Sequence, residues 1–119
     1  RAAMEDEMIS AHCNMLPREA AAGMVEAQRL RDARFAHALR RAAAAGGGRA
    51  VLITGNGHAR TDRGVPLYLA EAEPGASVLA LGQVEVREGA EDPRDYGLPY
   101  DYVWFSARAE REDPCAAFE

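Results

Sequence analysis

One short apolar run limits the folds open to this chain more than any other feature. Residues 50–54 (Ala-Val-Leu-Ile-Thr) follow a long helix-forming stretch and precede a glycine-rich loop. Such a run is typical of a strand buried in a parallel sheet. Two further strands are predicted at residues 77–82, with an extension through Val84 and Val86 past a kink at Gly82, and at residues 102–105.

Helical segments separate these strands. A stripe of Met4, Met8, Ile9 and His12 predicts a first helix over residues 4–12. Residues 17–45 form a long helix-forming stretch that the glycines at 46–48 end, and residues 65–72 form a short helix. The spacing of the long helix predicts an inward face of Met24, Gln28, Arg31, Phe35, Leu39 and Ala42.

The alternation of helices and strands predicts an α/β fold, with a mostly parallel sheet flanked by helices. Three strands make a narrow sheet. The chain also begins without an initiator methionine or a signal-peptide pattern. We therefore expect residues 1–119 to be part of one larger α/β domain.

Charge and hydropathy exclude two classes of protein. The formal net charge is −5, and all 14 basic residues are arginine. This acidic balance argues against a nucleic-acid partner, which selects a basic surface. No apolar run approaches the ~20 residues of a transmembrane helix.

The glycine-rich loop after residue 54 carries the densest set of functional groups. Gly55 and Gly57 can expose backbone amides, and His58, Arg60 and Asp62 follow. In open α/β sheets ligands bind beyond the carboxyl ends of the strands, where amides and arginine can hold an anion and histidine can bind a metal. A nucleotide site is disfavoured because the third glycine of the dinucleotide fingerprint is missing. The alternative is that His58 and Asp62 only cap the turn and the next helix.

Other candidate groups have a structural interpretation as well. His12 continues a methionine stripe that is more typical of a core than of a cofactor face, and His37 is interpreted as a surface group on the long helix. Tyr68 is near enough to the loop in sequence to be an oxygen ligand of ferric haem, although packing is the default. Cys13 and Cys115 are either unrelated thiols or a disulfide, which would indicate an exported protein.

Several motifs together resemble the ChaN-like haem-binding family of the TIKI superfamily. They are His12-Cys13-x-x-Leu16-Pro17, Met24-Val25-x-Ala27-Gln28-x-x-Arg31-Asp32-Ala33, Leu52-Ile53-x-Gly55-Asn56-Gly57-His58-x-Arg60-x-Asp62-x-Gly64-Val65-Pro66, and, in the tail, Tyr102-Val103-Trp104-Phe105 and Asp113-Pro114-Cys115. The resemblance runs over nearly all of the chain. It implies an α/β fold of about twice this length, of which this chain is the C-terminal half. It also implies an exported bacterial protein, periplasmic or anchored as a lipoprotein, with a role in haem or iron uptake.

The resemblance also implies a site. One pocket would gather His12, Gln28, Arg31, Asp32, His58, Arg60 and Asp62, and the cysteines would form a disulfide. For haem we expect His58, or else Tyr68, at the iron, and Arg60 with the amides of Gly55 and Gly57 at a propionate. Few aromatic residues are available to line a porphyrin, so a homodimer or the rest of the domain would supply them.

Two other functions stay open at this stage. The first is a metal-dependent hydrolase, as in other branches of the superfamily, with His58 and His12 near the metal or substrate. The second is a scaffold with no ligand of its own. Haem binding without turnover is the leading hypothesis.

Overall fold

The computed structural model describes residues 1–90 and 92–116. The chain divides into two compact units, of which the first comprises Arg1–Arg31 with the C-terminal segment from Glu110 and the second comprises Asp32–Ala109. Helix α2 (Arg18–Ala45) has residues in both units. Each unit is described separately below.

The first unit holds helix α1 (Ala2–Ala11) and the N-terminal part of α2. Both helices begin and end within two residues of their predicted bounds. Arg18 joins them, because its guanidinium lies 2.7 Å from the Asp6 carboxylate and 3.4 Å from that of Glu5. His12 lies just past the end of α1 and is exposed, so it does not continue the half-buried stripe of the helix.

A disulfide joins Cys13, in the turn after α1, to Cys115 in the tail, with 5.4 Å between the two Cα atoms. This confirms the pairing that the family resemblance implied. A closed loop of this length removes much conformational freedom from the unfolded chain, and it also holds a terminal segment that otherwise frays.

The inward face of α2 differs by about one position from the predicted face. The buried residues are Ala21, Val25, Asp32 and Ala36, whereas Met24, Arg31 and Ala42 are exposed. One position is a rotation of about 100° around a helix. The prediction was therefore wrong for those three residues, while Gln28, Phe35 and Leu39 are half-buried as expected.

In the second unit, the end of α2 packs on helix α4 (Val65–Ala72), which has the predicted bounds. Ala36, Val65 and Leu69 form the centre of this core. Helix α2 ends at Ala45, and the positive φ angles of Gly47 and Gly48 turn the chain away from it.

The sheet of the second unit has two strands among the described residues, β1 (Leu81–Glu85) and β2 (Tyr102–Ser106). They pair in parallel from Leu81 opposite Tyr102 to Glu85 opposite Ser106. The α/β class, the parallel sheet and the strand at residues 102–105 are thus confirmed. The sheet is open and narrow.

Two predicted strand segments are not strands. Residues 50–54 have no strand partner among the described residues, and Val51 and Ile53 are 88% and 94% exposed. Residues 77–80 are likewise outside β1, which begins four residues later than predicted. A strand is defined by its hydrogen bonds to a neighbouring strand. Among the described residues, 50–54 have no such neighbour, and of 77–80 only Ala80 bonds to Asp101 and Tyr102, where the strand pairing begins.

The connection between β1 and β2 folds back onto β2. It includes a short 3₁₀ helix at Pro93–Tyr96. The Tyr96 hydroxyl accepts a hydrogen bond from the Arg87 amide and donates one to the Ala90 carbonyl. Its ring contacts Phe105 edge to face, with 4.9 Å between ring centroids.

Gly82 of β1 is buried directly under the ring of Tyr100. A Cβ atom at this position would lie 2.5 Å from Cδ2 and 2.7 Å from Cε2 of that ring. We predict that Gly82→Ala lowers the free energy of unfolding by roughly 1–3 kcal/mol, because the ring has to move. Urea denaturation measures the change.

Gly75→Ala is the matched control, since a Cβ atom there meets nothing within 4 Å. Equal stability of the two variants would contradict the packing of Tyr100 on Gly82.

Candidate functional site

The glycine-rich loop contains one turn of helix, α3 (Asn56–Ala59), and is attached to strand β1 and, further along, to the segment that precedes β2. The Asn56 side chain donates to the Gln83 carbonyl and accepts from the Gln83 amide at 3.1 Å, as a neighbouring strand would. The Tyr100 hydroxyl donates to the Asn56 carbonyl. Further along, the amide and the hydroxyl of Thr61 both donate to the Pro99 carbonyl. These contacts fix the loop next to α2.

His58 and Asp32 are the central pair of the site. Nδ1 of His58 lies 2.5 Å from Oδ1 of Asp32, which α2 supplies. The Asp32 side chain is fully buried, whereas that of His58 is 21% exposed. The ring of Phe35, three residues after Asp32 on α2, meets the imidazole edge to face at 5.4 Å. One helix therefore supplies both the carboxylate at Nδ1 and the aromatic ring against the imidazole.

The hydrogen bonds described for the buried Asp32 carboxylate involve only one of its two oxygens. Its second oxygen, Oδ2, is buried and has no hydrogen-bond partner among the described residues. Burial raises the pKa of Asp32 above its ordinary value, and the hydrogen bond and charge of His58 oppose this rise only in part. A buried charge of this kind costs stability, which is typical of a functional position.

Arg60 and Asp62 form a second pair on the same loop. The guanidinium of Arg60 donates twice to the carboxylate of Asp62, at 2.9 and 2.7 Å. The hydrogen bond from Arg60 lowers the pKa of Asp62. A carboxylate ligand of Arg60 has to compete with this partner.

A cavity of about 620 Å³ opens beside His58. The segments 50–54 and 77–81 line it together with Leu39, Val65 and Leu69, and its polar groups include His58, Asn56 and Gln83. This volume is within the range of small-molecule and cofactor sites, about 300–1,000 Å³. A mainly apolar wall with one imidazole can enclose an apolar ligand and coordinate a metal within it.

The structure brings together some of the predicted site residues. His58 contacts Asp32, and Arg60 contacts Asp62. Gly55 and Gly57 lie in the same loop and are exposed. Tyr68 is half-buried and packs against the Ala36–Val65–Leu69 core.

The remaining predicted residues belong to the first unit. His12 is exposed and its Nδ1 is hydrogen-bonded to the Met8 carbonyl, Gln28 is half-buried, and Arg31 is exposed. Their part in a common pocket stays a prediction. No group of three or more histidine, cysteine, aspartate or glutamate side chains among residues 1–90 and 92–116 is arranged to hold a metal ion.

Sequence reasoning missed three contributors to the site. Phe35 was assigned only to the helix face, and Gln83 and Tyr100 had no assigned role. The signal for Asn56 was present, because an asparagine between two glycines is typical of a turn that bonds to nearby backbone. Nothing local in the sequence indicates which strand it would bond to.

The unusual burial of Asp32 predicts a pH-dependent stability. Its raised pKa means that the folded chain binds the proton more tightly than the unfolded chain, so this residue's contribution to stability falls as pH rises through the folded pKa. Asp32→Asn removes the buried charge. We expect the variant to be more stable by about 1 kcal/mol at pH 7.5, with a gain that shrinks towards pH 4. Urea denaturation across this pH range measures the difference.

Asp62→Asn is expected to change the free energy of unfolding in the opposite direction. The lowered pKa of Asp62 means that its ionised form stabilises the fold above the ordinary aspartate pKa, and that this contribution is lost in acid. This variant should be the less stable one at pH 7.5. A pH-independent gain in Asp32→Asn would show that burial of charge is not its cause.

Gly64 closes the loop behind His58. A Cβ atom here would overlap the carbonyl oxygen of His58 and lie 2.8 Å from that of Arg60. We predict that Gly64→Ala displaces the loop and costs roughly 1–3 kcal/mol of unfolding free energy. The change is measured by urea denaturation beside Gly55→Ala, where a Cβ atom meets nothing within 4 Å. A loss in Gly55→Ala as large as in Gly64→Ala would contradict this steric explanation.

Comparison with known proteins identifies a family. The family model described as haem-binding uptake, Tiki superfamily, ChaN matches residues 1–69, which include α1, α2 and the whole glycine-rich loop. The resemblance of the tail motifs lies outside the matched residues. No curated protein and no solved structure matches the chain. The match covers more than half of the chain, and the chain therefore belongs to the ChaN family of haem-binding uptake proteins in the Tiki superfamily.

Proposed function

We propose that this chain binds haem in haem or iron uptake, without turnover, and that His58 is the iron ligand. The observation that carries the proposal is the position of His58. It lines the apolar cavity, and its Nδ1 is held by a buried carboxylate. Histidine is a common axial ligand of haem iron, and a second interaction of this kind orients such a ligand.

The cavity fits the chemistry of the cofactor in two respects. Aliphatic side chains form most of its wall, which suits the porphyrin face, and the imidazole supplies a nitrogen donor. Haem, when bound, supplies an iron centre that accepts an axial ligand and two carboxylates that need partners. Tyr68, the other candidate ligand, is not among the described residues that line the cavity and instead packs in the core.

The propionate partners belong to the same loop. Arg60 has the planar fork that suits a carboxylate, with the amides of Gly55 and Gly57 nearby in sequence. Because Arg60 already binds Asp62, a propionate would exchange with that carboxylate or share the guanidinium. When no propionate is bound, the Asp62 carboxylate accepts the hydrogen bonds of the Arg60 guanidinium.

The proposal extends to location and assembly. A disulfide between Cys13 and Cys115 is typical of an oxidising compartment, and a role in uptake fits an exported protein. We propose a periplasmic or lipid-anchored protein. No helix in the described part of the chain is long and apolar enough to cross a membrane. The described residues that line the cavity include no phenylalanine, tyrosine or tryptophan, so a homodimer is a further way to cover a bound porphyrin.

Haemin titration tests the function. We expect a shift of the Soret band with the unmodified protein, and at least a roughly tenfold weaker affinity for His58→Ala, equivalent to about 1.4 kcal/mol. Added imidazole should partly restore the band.

His37→Ala is the matched control, because His37 is exposed on α2. No Soret shift with the unmodified protein would reject haem binding. Equal affinities of the two variants would reject His58 as the ligand.

A further inference from the structure

We propose that the outer side of α2 and the turn after it bind the anionic headgroups of a phospholipid surface through Arg34, Arg41 and Arg49, which together form the arginine face. All three residues belong to the second unit. None of them lines the cavity beside His58, and the proposal does not depend on haem binding.

Acidic and basic residues are distributed unevenly along the chain. All 19 acidic residues lie outside residues 33–61, whereas this segment contains five of the 14 arginines. Two of the five are paired, Arg40 with Glu73 and Arg60 with Asp62. The other three are those of the arginine face, and they have no acidic partner among the described residues. A chain with a net charge of −5 therefore carries a local positive surface.

Helical spacing places Arg34 and Arg41 on the side of α2 that faces away from the core. They are seven residues apart, so they lie two turns apart on one side of the helix, with about 10 Å between them along its axis. Both are exposed, whereas Asp32 and Ala36 are buried on the opposite side. Ala36 belongs to the core that α2 forms with α4, which fixes the rotation of the helix.

Arg49 extends the positive surface past the end of the helix. The Gly48 amide donates to the Ala43 carbonyl, so the chain stays against the last turn of α2. Arg49 follows at once and is exposed. An arginine near an anionic membrane surface strengthens binding roughly fivefold, so three of them together contribute on the order of a hundredfold.

The charges of the arginine face have no role in the described fold. A cation stabilises the C-terminus of a helix only from about its last turn, and the last turn of α2 has no basic residue. None of the three guanidinium groups forms a hydrogen bond or an ion pair within the described part of the chain. Their exposed positive charge is therefore available to a partner of opposite charge.

The surroundings of these arginines favour a lipid surface over a protein partner. Within residues 33–45 the exposed side chains are arginine, alanine and His37, and no large apolar side chain is among them. Protein interfaces centre on aromatic or apolar anchors. Binding to lipid headgroups needs only charge on an exposed surface, and a guanidinium pairs with a phosphate through two parallel hydrogen bonds.

Cosedimentation with vesicles tests the proposal on the unmodified chain. We expect it to bind vesicles made of equal parts of phosphatidylglycerol and phosphatidylcholine, and to stay in solution with phosphatidylcholine alone. Raising the salt concentration from about 50 to about 500 mM should weaken the binding at least roughly tenfold, because salt screens exposed charges. Binding that does not depend on phosphatidylglycerol would overturn the proposal.

Two variants of adjacent residues separate the arginine face from the net charge. Arg41→Gln should weaken vesicle binding roughly fivefold, and adding Arg34→Gln should weaken it roughly fivefold again. Arg40→Gln is the matched control, because it removes the same charge from the same helix but from a guanidinium that already binds Glu73. Its affinity should stay within about twofold of that of the unmodified chain.

The control also defines what would contradict the assignment. Equal losses in Arg40→Gln and Arg41→Gln would show that net charge, rather than the arginine face, governs binding. Tighter binding to poly-glutamate or to a DNA duplex than to vesicles, at the same concentration of negative charge, would replace the lipid surface by another class of partner. Because no haem is added, failure of the haemin titration leaves the outcome unaffected.

Discussion

The contact between the Asp32 carboxylate and the His58 imidazole is the interaction around which the second unit is arranged. A carboxylate without solvent access is unfavourable unless a partner is held against it, and the partner here comes from a loop rather than from the helix that bears the charge. The loop therefore has to be fixed. Asn56 binds it to the β1 backbone and Thr61 binds it to the Pro99 carbonyl. The sheet thus positions His58 through the loop, while α2 positions the carboxylate.

The sequence predicts the elements whose causes are local. The bounds of α1, α2 and α4 follow from helix propensity, the glycines after Ala45 and Pro66 in the first helical turn. Strand β2 follows from its apolar run. Residues 50–54 carry the same kind of signal and are not a strand, because pairing depends on a neighbour distant in sequence. An apolar run indicates that a segment suits a sheet, but it does not supply the hydrogen-bonding partner.

The candidate site residues on the glycine-rich loop could be predicted from the sequence, whereas the one on α2 could not be predicted from hydrophobic spacing. Glycines, a histidine and an arginine after an apolar run indicate a candidate ligand loop by residue type alone. On α2, hydrophobic spacing placed Arg31 inward, and Asp32 entered the predicted site only through the family resemblance. The structure buries Asp32 and exposes Arg31. A pattern that searches for apolar residues cannot find this buried charge, because its hydrogen-bond partner is His58, 26 residues further along the chain.

Stability and function make opposite demands at Asp32. The fold alone would favour a neutral side chain here, since burial raises the pKa of the carboxyl group and His58 offsets this only in part. In the proposed site the carboxylate instead has a purpose, because its oxygen orients the imidazole of the proposed iron ligand. Arg60 and Asp62 differ in kind, since the Asp62 carboxylate is half-exposed and is paired with a guanidinium of opposite charge. The candidate site thus combines one carboxylate whose burial is unfavourable for the fold and one arginine whose carboxylate partner can be exchanged, which is what the proposed binding and release of a ligand would require.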